Sequence, residues 1–274
     1  MNKTIVITGA STGIGRATAI YFAEKGWNVA ATMRSPEKER KLQTIDNIKV
    51  YKLDVTKQQS INDAYKAIVA DYGKVDVLLN NAGYALNGPF EVCTDEQIRA
   101  QFDVNVFGLM NTTRAFIPHF RENKGGIILN ISSMGGKITF PLLTSYHATK
   151  FAVEGFSEVL GYELDEFGIK VKLIEPGNIA TDFGTRSMVM ADTGDNRAYD
   201  KLLGHFMNLL NNVNPDEFYS SPEMVAEVIY TAATDGKNQS RYIAGDDAKQ
   251  LIELKQTQGD DAYIEFTKKQ FLPK

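Results

Sequence analysis

Two side chains in the run Ser145-Tyr146-His147-Ala148-Thr149-Lys150 could move a proton together. Tyr146 and Lys150 are four positions apart, about one helical turn, so a phenol and an ammonium would share one helix face. A free phenol ionises at about pH 10, too high for a base at neutral pH. A cation beside it favours the phenolate, so Lys150 is expected to depress the Tyr146 pKa. Ser133, a short loop upstream, offers a hydroxyl that could hold the oxygen of a carbonyl or an alcohol. Tyr-x-x-x-Lys alone arises often by chance, and an amphipathic helix with a surface lysine would explain it. The elements that must position these residues decide between the two readings.

Short apolar runs alternate with longer amphipathic segments along the chain. Strands are expected at residues 4–8, 28–33, 48–53, 75–79, 127–131, 171–174 and 241–244. Helices are expected at 15–25, 61–72, 95–102, 106–121, 145–167 and 222–234, several of them closed by glycine. Strands alternating with helices imply an α/β fold, a doubly wound parallel sheet of the Rossmann type covered on both faces. The alternation breaks across residues 178–220, which carry Phe183, Met188, Met190, Phe206, Met207, Leu209 and Leu210. That stretch is expected to be a helical insertion over a pocket. The tail from Asp246 reads as helical and polar. No repeat or linker divides the chain, so residues 1–274 are read as one domain carrying the 178–220 insertion.

With 274 residues, 43% of them hydrophobic and 23% charged, the chain can bury a large core. A net charge of −4, with no basic cluster beyond pairs such as Lys268-Lys269, argues against nucleic acid as a partner. No long uninterrupted apolar run suggests a membrane span. Met-Asn-Lys leads straight into a strand pattern without a secretory signal. Cys93 is the single cysteine, so no intrachain disulfide forms, and a cytoplasmic setting is expected. Cys93 has no evident base partner and makes a poor nucleophile. His119, His147 and His205 show no metal-ligand spacing, so no metal is expected. His147 reads as packed or exposed, since a helical neighbour points about 100° away from Tyr146.

Gly9, Ser11, Thr12, Gly13, Ile14 and Gly15 form a glycine-rich turn between the first strand and the first helix. Glycines let backbone approach a pyrophosphate, and the helix N-terminus offers free N–H groups. The turn lacks the Gly-Lys-Ser/Thr of a triphosphate loop. The second strand ends Thr32-Met33-Arg34-Ser35, with no carboxylate to take the ribose hydroxyls of NAD. Arg34 could pair with a 2′-phosphate instead, which favours NADP(H), with NAD(H) as the second option.

Taken together, the motifs resemble the short-chain dehydrogenase/reductase family over about the first two-thirds of the chain, in the family's order. Thr8-Gly9-x-x-x-Gly13-x-Gly15 is similar to the family's cofactor turn, and Leu53-Asp54-Val55 to its adenine-contacting acidic position. Asn80-Asn81-Ala82-Gly83 resembles the motif that stabilises the central sheet beside the cofactor. Asn105 matches the asparagine that supports the catalytic lysine through a water. Ser133, Tyr146 and Lys150 match the catalytic trio, and Pro176-Gly177 with Thr181 the segment along the nicotinamide. The resemblance implies Tyr146 as general acid/base in carbonyl–alcohol interconversion, Lys150 on the nicotinamide ribose, and Ser133 on the substrate oxygen. It also implies a homodimer or homotetramer built on the helices at 106–121 and 145–167. Thr12 departs from the basic residue that many NADP-preferring members carry there. Tyr84, Met134, Phe140, Leu142 and Leu143 suggest an apolar or aromatic carbonyl substrate. The competing classes are a non-catalytic NADP(H) sensor and a nucleotide-sugar epimerase or dehydratase. Sensors usually lose Tyr or Lys, and the glycine spacing argues against the sugar enzymes.

Overall fold

The computed structural model describes residues 2–180, 188–214 and 218–273, without the side chains of residues 210 and 211. Thr181, Phe183 and Arg186 lie outside the described residues. Seven strands form one sheet: β1 (Thr4–Ile7), β2 (Asn28–Met33), β3 (Ile48–Lys52), β4 (Val77–Asn80), β6 (Gly126–Ile131), β7 (Ile169–Pro176) and β9 (Arg241–Ala244). Their order is β3-β2-β1-β4-β6-β7-β9, with every neighbouring pair parallel. The winding reverses between β1 and β4. In such a sheet a crevice opens outside the carboxyl ends of the strands at that reversal.

Strand residues alternate between two buried faces, as the period of two demands. Ile5, Ile7, Val29, Ala31 and Leu79 pack with Phe22 of α1 (Gly13–Glu24) and with Val225 and Ile229 of α7 (Pro222–Thr234). Val6, Ala30, Leu78 and Ile128 face the other way. They meet Ile68 of α2 (Gln58–Tyr72), Phe116 and Phe120 of α4 (Leu109–Glu122) and Leu160 of α5 (Thr144–Leu164). A polar chain runs through this second layer. Asn80 Nδ2 donates to Thr113 Oγ1 and to Asn130 Oδ1, each at 2.8 Å, and Asn130 Nδ2 donates to Ser157 Oγ at 2.8 Å. It joins β4, β6, α4 and α5 at buried positions, where an unpaired amide would cost about 1–3 kcal/mol.

Three expectations change in detail. The helix expected at 106–121 begins instead as a π-helical turn over Asp103–Gly108, continuous with α3 (Asp95–Phe102) before it and α4 after it. The 178–220 stretch is not only helical. Besides α6 (Asp200–Asn211) it supplies β8 (Met188–Met190), which pairs in parallel with β5 (Ala85–Asn87) as a second, two-stranded sheet. The tail is more than a polar helix. It forms α8 (Asp246–Gln258) and α9 (Asp260–Phe271), which bury Ala248, Ile252 and Tyr263 against Met134 and Ile138. Spacing of four between Ala248 and Ile252 is the signal that a mostly charged helix hides. No helix of the described residues is long and apolar enough to cross a membrane, and no group of His, Cys, Asp and Glu among them could hold a metal ion.

Candidate active site

The glycine turn sits where β1 and β4 end side by side. Thr8 Oγ1 accepts from the N–H groups of Asn81 and Ala82 at 2.9 and 3.0 Å, and Asn81 Nδ2 donates to the carbonyls of Thr8 and Gly9 at 2.9 and 3.1 Å. This stitch leaves no room for side chains. A Cβ on Gly9, which has φ +67°, would lie 2.9 Å from Ala82 Cα, and one on Gly15 would lie 2.5 Å from Asn81 Nδ2. Thr12 precedes α1 with no side-chain capping bond, so the first-turn N–H groups keep no side-chain partner from it. Those amides and the positive end of the helix suit a diphosphate.

One cleft of about 670 Å³ gathers most of the expected site. Gly9, Ser11, Thr12, Gly13, Ile14, Arg34, Asp54, Val55, Asn81, Ala82, Gly83, Ser133, Tyr146, Lys150, Pro176 and Gly177 all line it. Gly15 and Asn105 stand behind its wall, and Thr181 is outside the described residues. The cradle fits a dinucleotide: a backbone turn that a Cβ would obstruct, an uncapped helix start and a guanidinium at the far end. Arg34 is exposed there beside Asp54. Burial opposes ionisation of Asp54, but two bonds from Thr56 and the charges of Lys57 and Arg34 bring its pKa below the usual value. Arg16, the neighbouring guanidinium, is otherwise engaged. It grips Glu39 with two bonds of 2.9 and 3.1 Å. Burial works against the Glu39 charge, yet Arg16 and the amides of Leu42 and Lys41 take its pKa down to about 2.

The residues expected to move a proton converge elsewhere in the same cleft. Tyr146 and Lys150 are buried on α5, 9% and 7% exposed, with the ammonium 5.6 Å from the phenol ring centre. Lys150 Nζ donates to the Ile131 carbonyl at 2.9 Å. Ser133 Oγ accepts from Gly135 N at 2.9 Å and hydrogen-bonds the phenol. The expected depression of the phenol is reversed. Burial pushes Tyr146 up to about 12, against a smaller lowering by Ser133. Burial also takes Lys150 down to about 8, against the raising charge of Glu154. In a dry pocket desolvation disfavours the phenolate.

Asn105 lies in the π turn, 2% exposed. Its Nδ2 donates to the Tyr84 carbonyl at 2.9 Å and to Thr149 Oγ1 at 3.1 Å, and its Oδ1 accepts from Tyr84 N at 3.1 Å. It therefore ties α5 to the strand end that carries Tyr84.

Several positioning residues gave no sequence signal. His147 is neither merely packed nor exposed. It is buried, its Nε2 accepts from Phe140 N at 2.9 Å, and its Nδ1 lies 2.8 Å from the Gly135 carbonyl. Those partners assign the proton to Nδ1, and burial lowers its pKa against a smaller rise from Gly135. Thus His147 braces the loop after Ser133. Leu142 adopts φ +66°, and its carbonyl accepts from Gly88 N at 2.8 Å, joining the start of α5 to the end of β5. Asp247 Oδ2 accepts from Asn178 N at 2.7 Å, and a Cβ on Gly177 or Gly245 would run into its carboxylate. The last helices thereby hold the loop after Pro176.

Comparison with known proteins fits this geometry. Residues 3–190 match the family model described as short chain dehydrogenase. A 3-ketodihydrosphingosine reductase of Bacteroides thetaiotaomicron is 40% identical over 197 residues, 72% of this chain and 71% of that one. The solved structure of a short-chain dehydrogenase from Streptomyces avermitilis superposes with a TM-score of 0.84 at 34% identity, covering 97% of this chain and 96% of that chain. The structure of ElxO with NADP bound gives 0.75 at 28% identity, covering 92% and 99%.

The Asp247–Gly177 interlock makes a prediction about stability. Gly177→Ala should cost about 1–3 kcal/mol by overpacking, and Asp247→Ala about 1–2 kcal/mol by orphaning the Asn178 amide. The double variant should lose about 1 kcal/mol less than the sum, read by denaturant titration. Simple additivity would show that the two do not meet.

Proposed function

This chain belongs to the short-chain dehydrogenase family, and on that premise we propose that it interconverts a carbonyl and an alcohol with Tyr146 as general acid/base. It is an oxidoreductase of that family, and its cofactor is a nicotinamide dinucleotide. The observation behind the proposal is the burial of Tyr146 and Lys150 together, with Ser133 bonded to the phenol, at one end of the cleft. A phenol raised to about 12 keeps its proton at neutral pH and has one to give to a forming alkoxide. Ser133 Oγ, fixed by Gly135 N, would hold the substrate oxygen beside that proton. Lys150, anchored on Ile131, would bind the nicotinamide ribose and place positive charge near the phenol. The glycine turn and the start of α1 would hold the diphosphate, Asp54 and Val55 the adenine end, and Asn81, Ala82, Gly83, Pro176 and Gly177 the nicotinamide side. When bound, the nicotinamide exchanges a hydride with the substrate carbon.

We read the cofactor preference as NADP(H). Arg34 is exposed in the cleft with no carboxylate at the end of β2 to claim a ribose diol, while Arg16 is locked to Glu39. ElxO, similar in structure, has been solved with NADP. For the substrate we favour a lipophilic ketone or alcohol, with only part of the expected residues at the cleft. Met134 and Leu142 are buried in packing and Phe140 stacks on His147 and Phe271. Tyr84, as expected, lines the cleft that holds Tyr146, together with Val104, Ile179 and Val189. The 3-keto lipid reductase among the relatives fits such a substrate. We also propose self-association through the outer face of α5 and the π-helical turn before α4, where Phe107, Phe151, Val159 and Tyr162 are 53, 43, 53 and 73% exposed.

Tyr146→Phe should retain nicotinamide binding by fluorescence and lose about 10²–10⁴-fold in kcat on a panel of ketones and alcohols; normal turnover would remove Tyr146 from the mechanism. Arg34→Ala should raise KM for NADPH by tenfold or more, roughly one charge-assisted contact, and leave NADH nearly unchanged; equal effects would rule out the phosphate role. Tyr162→Asp should shift sedimentation from dimer or tetramer toward monomer, and an unshifted boundary would place the interface elsewhere.

A further inference from the structure

Outside the cleft, two carboxyl groups are buried next to the catalytic lysine's helix turn. Glu154 follows Lys150 by one turn of α5, and Glu175 stands in β7 directly before Pro176. They are 5% and 2% exposed. Glu154 Oε2 accepts from Arg241 Nε at 3.0 Å, and the same nitrogen is 3.5 Å from Glu175 Oε1. Arg241 also spends Nη2 on the half-exposed Glu158, at 2.6 Å. One guanidinium therefore faces three carboxyl groups.

Among the described residues, Glu154 Oε1 and Glu175 Oε1 have no hydrogen-bond donor, although the two carboxyls stand within hydrogen-bonding reach of each other. Two ionised carboxylates only accept, and at this distance they repel. A proton between them would satisfy both oxygens. A third buried group, Ser132 Oγ, also lacks a partner and borders the same place: a Cβ on Gly136 would lie 2.6 Å from it and 2.9 Å from Glu154 Cγ.

We propose that Glu154 and Glu175 share one proton, and that this pair is a positioning device for Lys150: it releases the proton to solvent as pH rises, adding a negative charge that keeps the ammonium charged. The charged groups facing the pair are Lys150 and Glu158 from α5, Arg241 from β9 and Lys137 from the turn after Ser133. Burial pushes Glu175 up, to about 7, with Glu154 adding to the rise and Lys137 and Arg241 opposing it. Burial takes Lys150 down to about 8, where Glu154 already favours the ammonium. The signs therefore interlock. Below about pH 7 the pair carries one negative charge; above it, two. The second charge arrives where the ammonium would begin to lose its proton, and an opposite charge raises the pKa of a cation. The device rests on Lys150 serving Tyr146 as proposed above.

Infrared difference spectra of the whole protein test the shared proton without using activity. The carbonyl stretch of an un-ionised carboxylic acid should be present at pH 6, vanish as pH rises through about 7, and be missing at pH 6 from folded Glu175→Gln. Its absence from the unmodified protein overturns the proposal even if no variant folds. Kinetics test the positioning. The alkaline limb of the kcat profile should move to lower pH, by on the order of one unit in Glu154→Gln and less in Glu175→Gln. A merely structural role would lower Tm and leave the limb in place, and superimposable limbs overturn the positioning role. Should Tyr146→Phe prove fully active, the mechanism fails while the infrared band stands, so the two failures are separable.

Discussion

A positively charged group with little access to water must be repaid by its surroundings, and Lys150 makes that demand on most of this structure. Its anchor is a backbone carbonyl at the end of β6, so the strand must end where α5 brings the ammonium. That fixes how α5 docks. The dock is held in turn by the amide chain from Asn80 through Asn130 to Ser157, one face of which would be orphaned if α5 slid. Tyr146 and Ser133 stand beside the same cleft as a result of that dock. Glu154, Glu175 and Arg241 then form a charged layer behind the lysine.

At the opposite end the demand is steric. The chain crosses itself where Gly9 and Gly15 pack on Asn81 and Ala82, with Thr8 bonding across both strands. Backbone rather than side chain lines the turn there, so what it offers is helix polarity and free amides. Specificity is left to what surrounds the turn. The Arg16–Glu39 pair bolts the loop after β2 to the helix that follows the turn, and leaves Arg34 standing free of it. Rigid turn and adaptable rim are thus separate parts of one cleft.

The strands were legible because buried parallel strands are runs of Val, Ile, Leu and Ala, bounded by glycine or polar turns. The glycine turn, Asn81, Ser133, Tyr146 and Lys150 were legible because backbone approach and proton transfer constrain residue type at short spacing. What stayed hidden depends on contacts between distant segments. β5 and β8 are three residues each and find one another across the whole middle of the chain, with no periodicity to announce it. His147 is one residue from Tyr146, yet its role follows from where Gly135 and Phe140 fold back. The phenol's acidity could not be read from the neighbouring lysine, because burial, the largest influence on it, belongs to the tertiary structure. Arg241 reads as the first residue of a strand, and only the sheet order places it against Glu154 and Glu175.

The bond from Asn178 to Asp247 spans 69 positions, and this separation sets a timetable for synthesis. A ribosome adding roughly 5–20 residues per second delivers the glycine turn, α5 and β7 well before the carboxylate that restrains the loop after Pro176. For several seconds the nascent chain has most of its sheet but one wall of its cleft untethered. The surface of Met134 and Ile138 that the last helices cover is also bare in that interval. The nascent chain is therefore most exposed to proteases and to self-association until α8 and α9 have emerged, and those two helices complete this wall of the cleft.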